Sequence, residues 1–105
     1  MVVTNVDADI YNNTVVAESN NAVEMVADAW NRVNFLNNIL YARGSGNYCI
    51  YRQPGDYDFE LTSDYNDLFA ENGAGIAFYW DSDASSTVVF SDIAEWRENG
   101  FDTNG

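Results

Sequence analysis

Hydrophobic positions run along the whole chain in short bursts, and their spacing predicts alternating helices and hairpins. Val23, Val26, Ala29, Trp30, Val33, Leu36 and Leu40 fall on one stripe of a helical period. Glu24, Asp28, Asn31, Asn34 and Asn38 face away from it. The stripe predicts one long helix over about residues 19–42, capped by Ser19 or Asn20 and closed by Gly44. Asn37 leans into the stripe as an edge residue. The stretch before Ala17 stays open between a helical face (Val2, Val3, Val6, Ile10) and a small hairpin around Asn12 and Asn13.

Residues 47–52 and 57–62 flank Gln53-Pro54-Gly55-Asp56, a turn sequence, and predict a first hairpin. In its second strand Tyr57, Phe59 and Leu61 alternate with Asp58 and Glu60, which gives one wet, acidic face. Residues 63–72 read as a short helix closed by Gly73, with Tyr65, Leu68 and Phe69 pointing inward. Residues 75–80 and 87–90 predict a second hairpin. Ser91 then caps a last helix over residues 92–99, anchored by Ile93 and Trp96 and closed by Gly100. The expected fold is therefore α+β: an antiparallel sheet of about four strands in two hairpins, with one long and two short helices. No internal repeat or linker stands out. A single domain over residues 1–105 is natural at this length.

Charge changes the picture more than composition does. The 105 residues hold 17 acids against 4 bases, a formal charge of −13, and the bases are all Arg. There is no His and no Lys. Direct nucleic-acid binding is excluded on this balance, because neutralising phosphates needs a basic patch. An anionic membrane surface would repel the chain. Residues 1–52 carry five acids and three Arg, whereas residues 53–105 carry twelve acids and one Arg. Such asymmetry points to an acidic interaction surface. No bilayer-spanning run and no secretory pattern is seen, so cytoplasmic residence is expected. The single Cys49 reads as a small buried hydrophobe.

Catalytic chemistry is poorly provided for. Without His the usual general base is missing, and without Lys there is no Schiff base or phosphate-loop lysine. No catalytic residue, cofactor or metal site is expected. Calcium is the sharpest rival: Asp81, Asp83, Ser85 and Asp92 stand at positions 1, 3, 5 and 12 of a loop. Ser86 stands where that loop needs Gly, however, and Asp92 replaces the bidentate Glu.

The spacing of the acids suggests a better use. Asp56, Asp58 and Glu60 on a strand stand about 6.6 Å apart. On a helix, Asp64, Asp67 and Glu71 stand about 5–6 Å apart. Both spacings approach that of successive phosphates. Asp81, Asp83, Asp92 and Glu95 extend the acidic set. Tyr57 and Tyr65 are candidate contact anchors, while Phe59, Phe69, Phe78 and Trp96 are assigned to the core. The expected partner is a basic nucleic-acid-binding cleft, met by a monomer or dimer of this chain.

In composition and charge layout over residues 53–105, the chain resembles the small acidic nucleic-acid-mimicking inhibitors of phages and mobile elements, the anti-CRISPR and anti-restriction proteins. The resemblance carries no diagnostic motif. It implies stoichiometric, non-catalytic blocking of a Cas effector or restriction enzyme. The alternatives are an immunity protein or antitoxin that caps a basic nuclease toxin, a halophile interaction module, and a calcium-binding module.

Overall fold

The computed structural model describes residues 1–4, 8–26, 31–52, 59–81 and 86–104. Strands β1 (Val2–Thr4), β2 (Ala8–Tyr11) and β3 (Thr14–Ala17) make a first coil. β4 (Val23–Val26), β5 (Asn31–Leu36) and β6 (Ile39–Arg43) make a second, and β7 (Tyr48–Arg52), β8 (Phe59–Asp64) and β9 (Asp67–Glu71) a third. β10 (Gly75–Asp81) opens a fourth coil; β11 (Ser86–Phe90) returns antiparallel to it and leads into helix α1 (Ile93–Glu98). Equivalent strands of successive coils pair in parallel, so three sheets run along one axis: β1-β4-β7-β10-β11, β2-β5-β8 and β3-β6-β9. The chain is a parallel β-solenoid closed by a short helical cap.

This overturns the α+β expectation. Residues 19–42 form no long helix in their described part; they supply β4, β5 and β6, one strand to each sheet. The apparent helical stripe arises because bursts of alternation are broken by corners that reset the phase. Val23, Met25, Val33, Phe35, Leu40 and Ala42 are all buried, whereas Leu36 lies on the outer side between Tyr11 and Asp64. The β-branched residues and the many Asn of this stretch also favour strands and corners over helix. β7 and β8 form no antiparallel hairpin, because each pairs in parallel within its own sheet. The predicted turn at residues 53–56 and the first strand residues 57–58 lie outside the described residues. Residues 63–72 are strand, corner and strand instead of a helix. The second hairpin is present as β10–β11, and the last helix is present as α1, capped by Asp92 and not by Ser91.

A repeat underlies the coils. Ile10-Tyr11-Asn12-Asn13, Phe35-Leu36-Asn37-Asn38 and Ser63-Asp64-Tyr65-Asn66 occupy the same corner, 25 and then 28 residues apart. Unequal coil lengths and the dominance of inward apolar positions hide it from simple inspection. Asn12, Asn37 and Tyr65 adopt left-handed φ of 59°, 58° and 57° at this corner. Asn tolerates that region well, while Tyr accepts it at a cost.

Side chains stack inside the coils in columns: Ile10–Phe35–Ser63, Val15–Leu40–Leu68, Ala17–Ala42–Ala70 and Val23–Ile50–Ala77. Burying each large apolar member contributes about 1.5–3 kcal/mol. Arg52 is buried in the same interior, its guanidinium 5.3 Å from the centre of the Tyr79 ring. On the outer side of the first sheet, the Tyr51 and Phe78 rings stack at 4.8 Å, with Tyr48 beside Phe78 at 5.5 Å. Gly75 makes this possible: a Cβ there would fall 2.7 Å from the Tyr48 ring.

Asparagines at the corner form a hydrogen-bonded ladder along the axis. The Asn13 backbone N–H donates to Asn38 Oδ1 at 2.9 Å, and that of Asn38 donates to Asn66 Oδ1 at 2.8 Å. Asn38 Nδ2 also donates to the Ile10 and Leu36 carbonyls at 2.9 and 3.1 Å. Asn66 Nδ2 donates to the Phe35 carbonyl at 2.8 Å. Each inward-turned amide thereby satisfies the backbone groups that a tight corner would leave buried and unpaired.

Candidate functional site

The described acids of the second half lie on β8, β9, β10 and the cap, toward one end of the solenoid. On β9 the alternation places Asp67, Phe69 and Glu71 on the outside and Leu68 and Ala70 toward the interior. In register, Asp67 lies beside Ile39, Phe69 beside Tyr41, and Glu71 beside Arg43. The Tyr41 hydroxyl donates to Glu71 Oε2 at 2.7 Å, and this bond holds the phenol above its ordinary pKa. Phe69 is 52% exposed, which corrects its assignment to the core; Trp96 is fully buried, as expected.

A groove of about 320 Å³ runs beside β9. Leu68, Phe69, Ala70 and Glu71 line one side, and Ile76, Ser91, Asp92 and Ile93 the other. It brings together Glu71 and Asp92, which are far apart in sequence. Asp92 caps α1 by accepting from the Glu95 amide at 2.9 Å, and Glu95 Oε2 accepts from the Ser91 amide at 3.4 Å. Both carboxylates remain exposed at the surface.

Other predicted site residues have different fates. Asp64 does not stand free on a helix. Its carboxylate accepts from the Asn104 backbone and side chain at 3.0 and 2.8 Å, and from the Tyr65 amide at 3.0 Å. The Asn104 side-chain bond is the main cause that holds Asp64 below the usual carboxylate range. Tyr65 is 56% exposed, so its predicted inward orientation is wrong and its role as a surface anchor stays open to a partner. Glu60 and Asp81 lie on β8 and β10. Asp56, Tyr57, Asp58 and Asp83 lie outside the described residues.

The phosphate-like spacing of Asp64, Asp67 and Glu71 is lost with the helix. Across β9, Asp67 and Glu71 are four strand residues apart, about 13 Å. The calcium-loop positions Asp83 and Ser85 lie outside the described residues, and Asp92 is engaged as a helix cap. Among the described residues no group of three or more His, Cys, Asp or Glu is placed to hold a metal ion. No described helix is long and apolar enough to cross a membrane. Burial pushes the Cys49 thiol up to about 11, consistent with a packing role.

Sequence reading found Trp96 but missed the buried acid that organises this end. Asp102 is fully buried and accepts from Trp96 Nε1 at 2.7 Å, from Ser63 Oγ at 2.6 Å and from the Asn66 amide at 2.9 Å. Trp96 stacks on Phe101 at 4.2 Å and meets Phe90 edge-on at 5.1 Å. The available signal was Asn recurring after a turn residue at like intervals, and Asp102 carries no such context. Comparison with family models, with curated proteins and with solved structures finds no match, so the arrangement of the chain's own residues carries the functional reading.

Proposed function

We propose that this protein is a non-catalytic inhibitor whose acidic end binds the basic nucleic-acid-binding surface of a nuclease complex. The observation that carries the reading is the segregation of acids along the solenoid axis. Residues 1–52, which include β1 to β7, are nearly balanced, whereas residues 53–105, which include β8 to β11 and α1, hold twelve acids and one Arg. Asp67, Glu71, Asp92, Glu95 and Glu98 are all exposed there. Crowding carboxylates at one end costs folding free energy by self-repulsion. A field of one sign at one end also speeds encounter with a cationic cleft. A host defence nuclease is the partner that the resemblance to anti-CRISPR and anti-restriction inhibitors implies.

The test is capture of a nuclease complex from host lysate at low salt, followed by competition with duplex DNA. Binding should fall as DNA or salt is added. The quadruple variant Asp67→Lys, Glu71→Lys, Glu95→Lys, Glu98→Lys should lose binding by at least about a hundredfold with an unchanged circular dichroism spectrum. Binding that survives the reversal, or that DNA fails to displace, overturns the reading. Capture of a toxin nuclease from its own operon would identify the partner as that of an immunity protein instead.

A further inference from the structure

The three sheets end differently at the acidic end. The first is closed by β11. The second, ending on β8, is covered by the chain terminus: the Asp102 amide donates to the Ser63 carbonyl at 2.7 Å, and Asn104 reaches Asp64. The third ends on β9, with no strand beyond it among the described residues.

The pairing of β9 fixes which backbone groups face outward. Asp67 N–H donates to the Asn38 carbonyl at 2.8 Å, and the Glu71 carbonyl accepts from Gly44 N–H at 3.0 Å. The N–H and C=O of one strand residue point to the same side, and the side alternates along the strand. Asp67, Phe69 and Glu71 therefore bond toward β6. The N–H and C=O groups of Leu68 and Ala70 point out of the sheet into the groove, where no described backbone group bonds to them. An edge strand in this state is a template for another strand.

We infer that the free edge of β9 adds an extended cationic segment of a partner protein as a further antiparallel strand, as β11 adds to β10. Leu68 and Ala70 supply two donors and two acceptors to it. One set of its side chains turns toward Ile76 and Ile93 in the groove and is apolar. The alternate set continues the outer columns beside Asp67 and Glu71, where opposite charges across strands attract. Arg43 already occupies the place beside Glu71 on the other side, so the column sets basic against acidic residues. Asp92 on the far wall adds the same sign. A second copy of this chain, at a charge of −13, meets like charge here and does not fit. Main-chain bonds give such a segment its affinity, and the alternate pockets give it its pattern.

The inference rests on the functional reading only for the sign of the partner's charge. Its test uses two acetylated, amidated hexapeptides, one of alternating Val and Lys and one with Pro in place of every Val. The Val–Lys peptide should bind at low salt and slow hydrogen exchange at the Leu68 and Ala70 amides. The Pro–Lys peptide has equal charge but cannot form a ladder, and should bind at least about tenfold more weakly. The variant Ala70→Pro removes an outward donor without touching a bond to β6, and should weaken Val–Lys binding by a similar factor. Equal binding of the two peptides, or binding that leaves exchange at Leu68 and Ala70 unchanged, overturns strand addition while leaving the acidic-surface reading intact. Failure of the Val–Lys peptide to bind also overturns it. The exchange measurement is made on the unaltered protein and does not depend on any variant folding.

Discussion

Asp102 Oδ1 receives the Asn66 amide at 2.9 Å, the position that a fourth asparagine of the ladder would fill. Asn13 donates to Asn38, Asn38 to Asn66, and Asn66 to Asp102, each through its backbone N–H and an Oδ1 acceptor. The cap thus ends the solenoid by imitating one corner of the next coil. A repeat array needs such an ending, because its last coil otherwise exposes apolar surface and unpaired backbone. Asp differs from Asn in that its second oxygen also accepts, here from Trp96 and Ser63.

Replacing Asp102 should therefore be costly in a graded way. Asp102→Ala leaves the Trp96, Ser63 and Asn66 donors buried without their acceptor, and should lose about 3–5 kcal/mol in urea unfolding. Asp102→Asn keeps Oδ1 for Asn66 but turns an NH₂ toward Trp96 or Ser63, and should lose about half as much. Equal losses for the two variants would show that only the charge matters.

Along the ladder, burial should set the cost. Asn38 is 1% exposed and bonds to both neighbouring coils. Asn38→Ala should cost about 2–4 kcal/mol, and Asn13→Ala, at the half-buried first rung, about 1 kcal/mol. Equilibrium denaturation of the two variants measures the difference.

Strong acid should loosen the chain terminus. Asn104 holds the Asp64 carboxyl below its ordinary value of 3.8, through its side chain chiefly and its amide in addition. Because the folded value is the lower one, the stabilisation is present above the unfolded value. It is lost as pH falls through the folded value. An NMR titration of Asp64 should give a midpoint below 3.8, and Asn104→Ala should move it upward. A midpoint unmoved by that change would remove Asn104 as the cause.

Cys49 should be inert until the protein unfolds. Its thiol contacts the Phe69 carbonyl at 3.3 Å, and burial raises it to about 11. The reactive thiolate is therefore scarce at neutral pH. A disulfide reagent added at pH 8 should label the native protein at the rate of global unfolding, and the urea-unfolded chain immediately. Fast labelling of the native state would contradict the packing shown.

Some of this was legible in the residues alone. Gly75 to Trp80 and Thr87 to Phe90 are short apolar runs joined by turn residues, and they do pair as a hairpin. Ile93 and Trp96 mark the last helix because both fall on one helical face, although the cap is Asp92 and not the expected Ser91. Cys49 reads correctly as buried because nothing near it in sequence would activate a thiolate. The acidity of one half of the chain is a plain count.

The rest was decided by contacts between coils. A strand four to six residues long shows too few alternations to outvote a chance helical stripe, and each corner shifts the phase. Val33 and Leu40 thus look like one helix face, although they line two different sheets. Sequence determined how much negative charge the chain carries and in which half. Only stacking of the coils decided that Asp64 is spent on anchoring the terminus, that Glu71 and Asp92 share a groove, and that no described strand pairs with the outer edge of β9. Those facts depend on which residues lie one coil apart along the axis, a distance of about 4.8 Å in space but 22 to 28 residues in sequence.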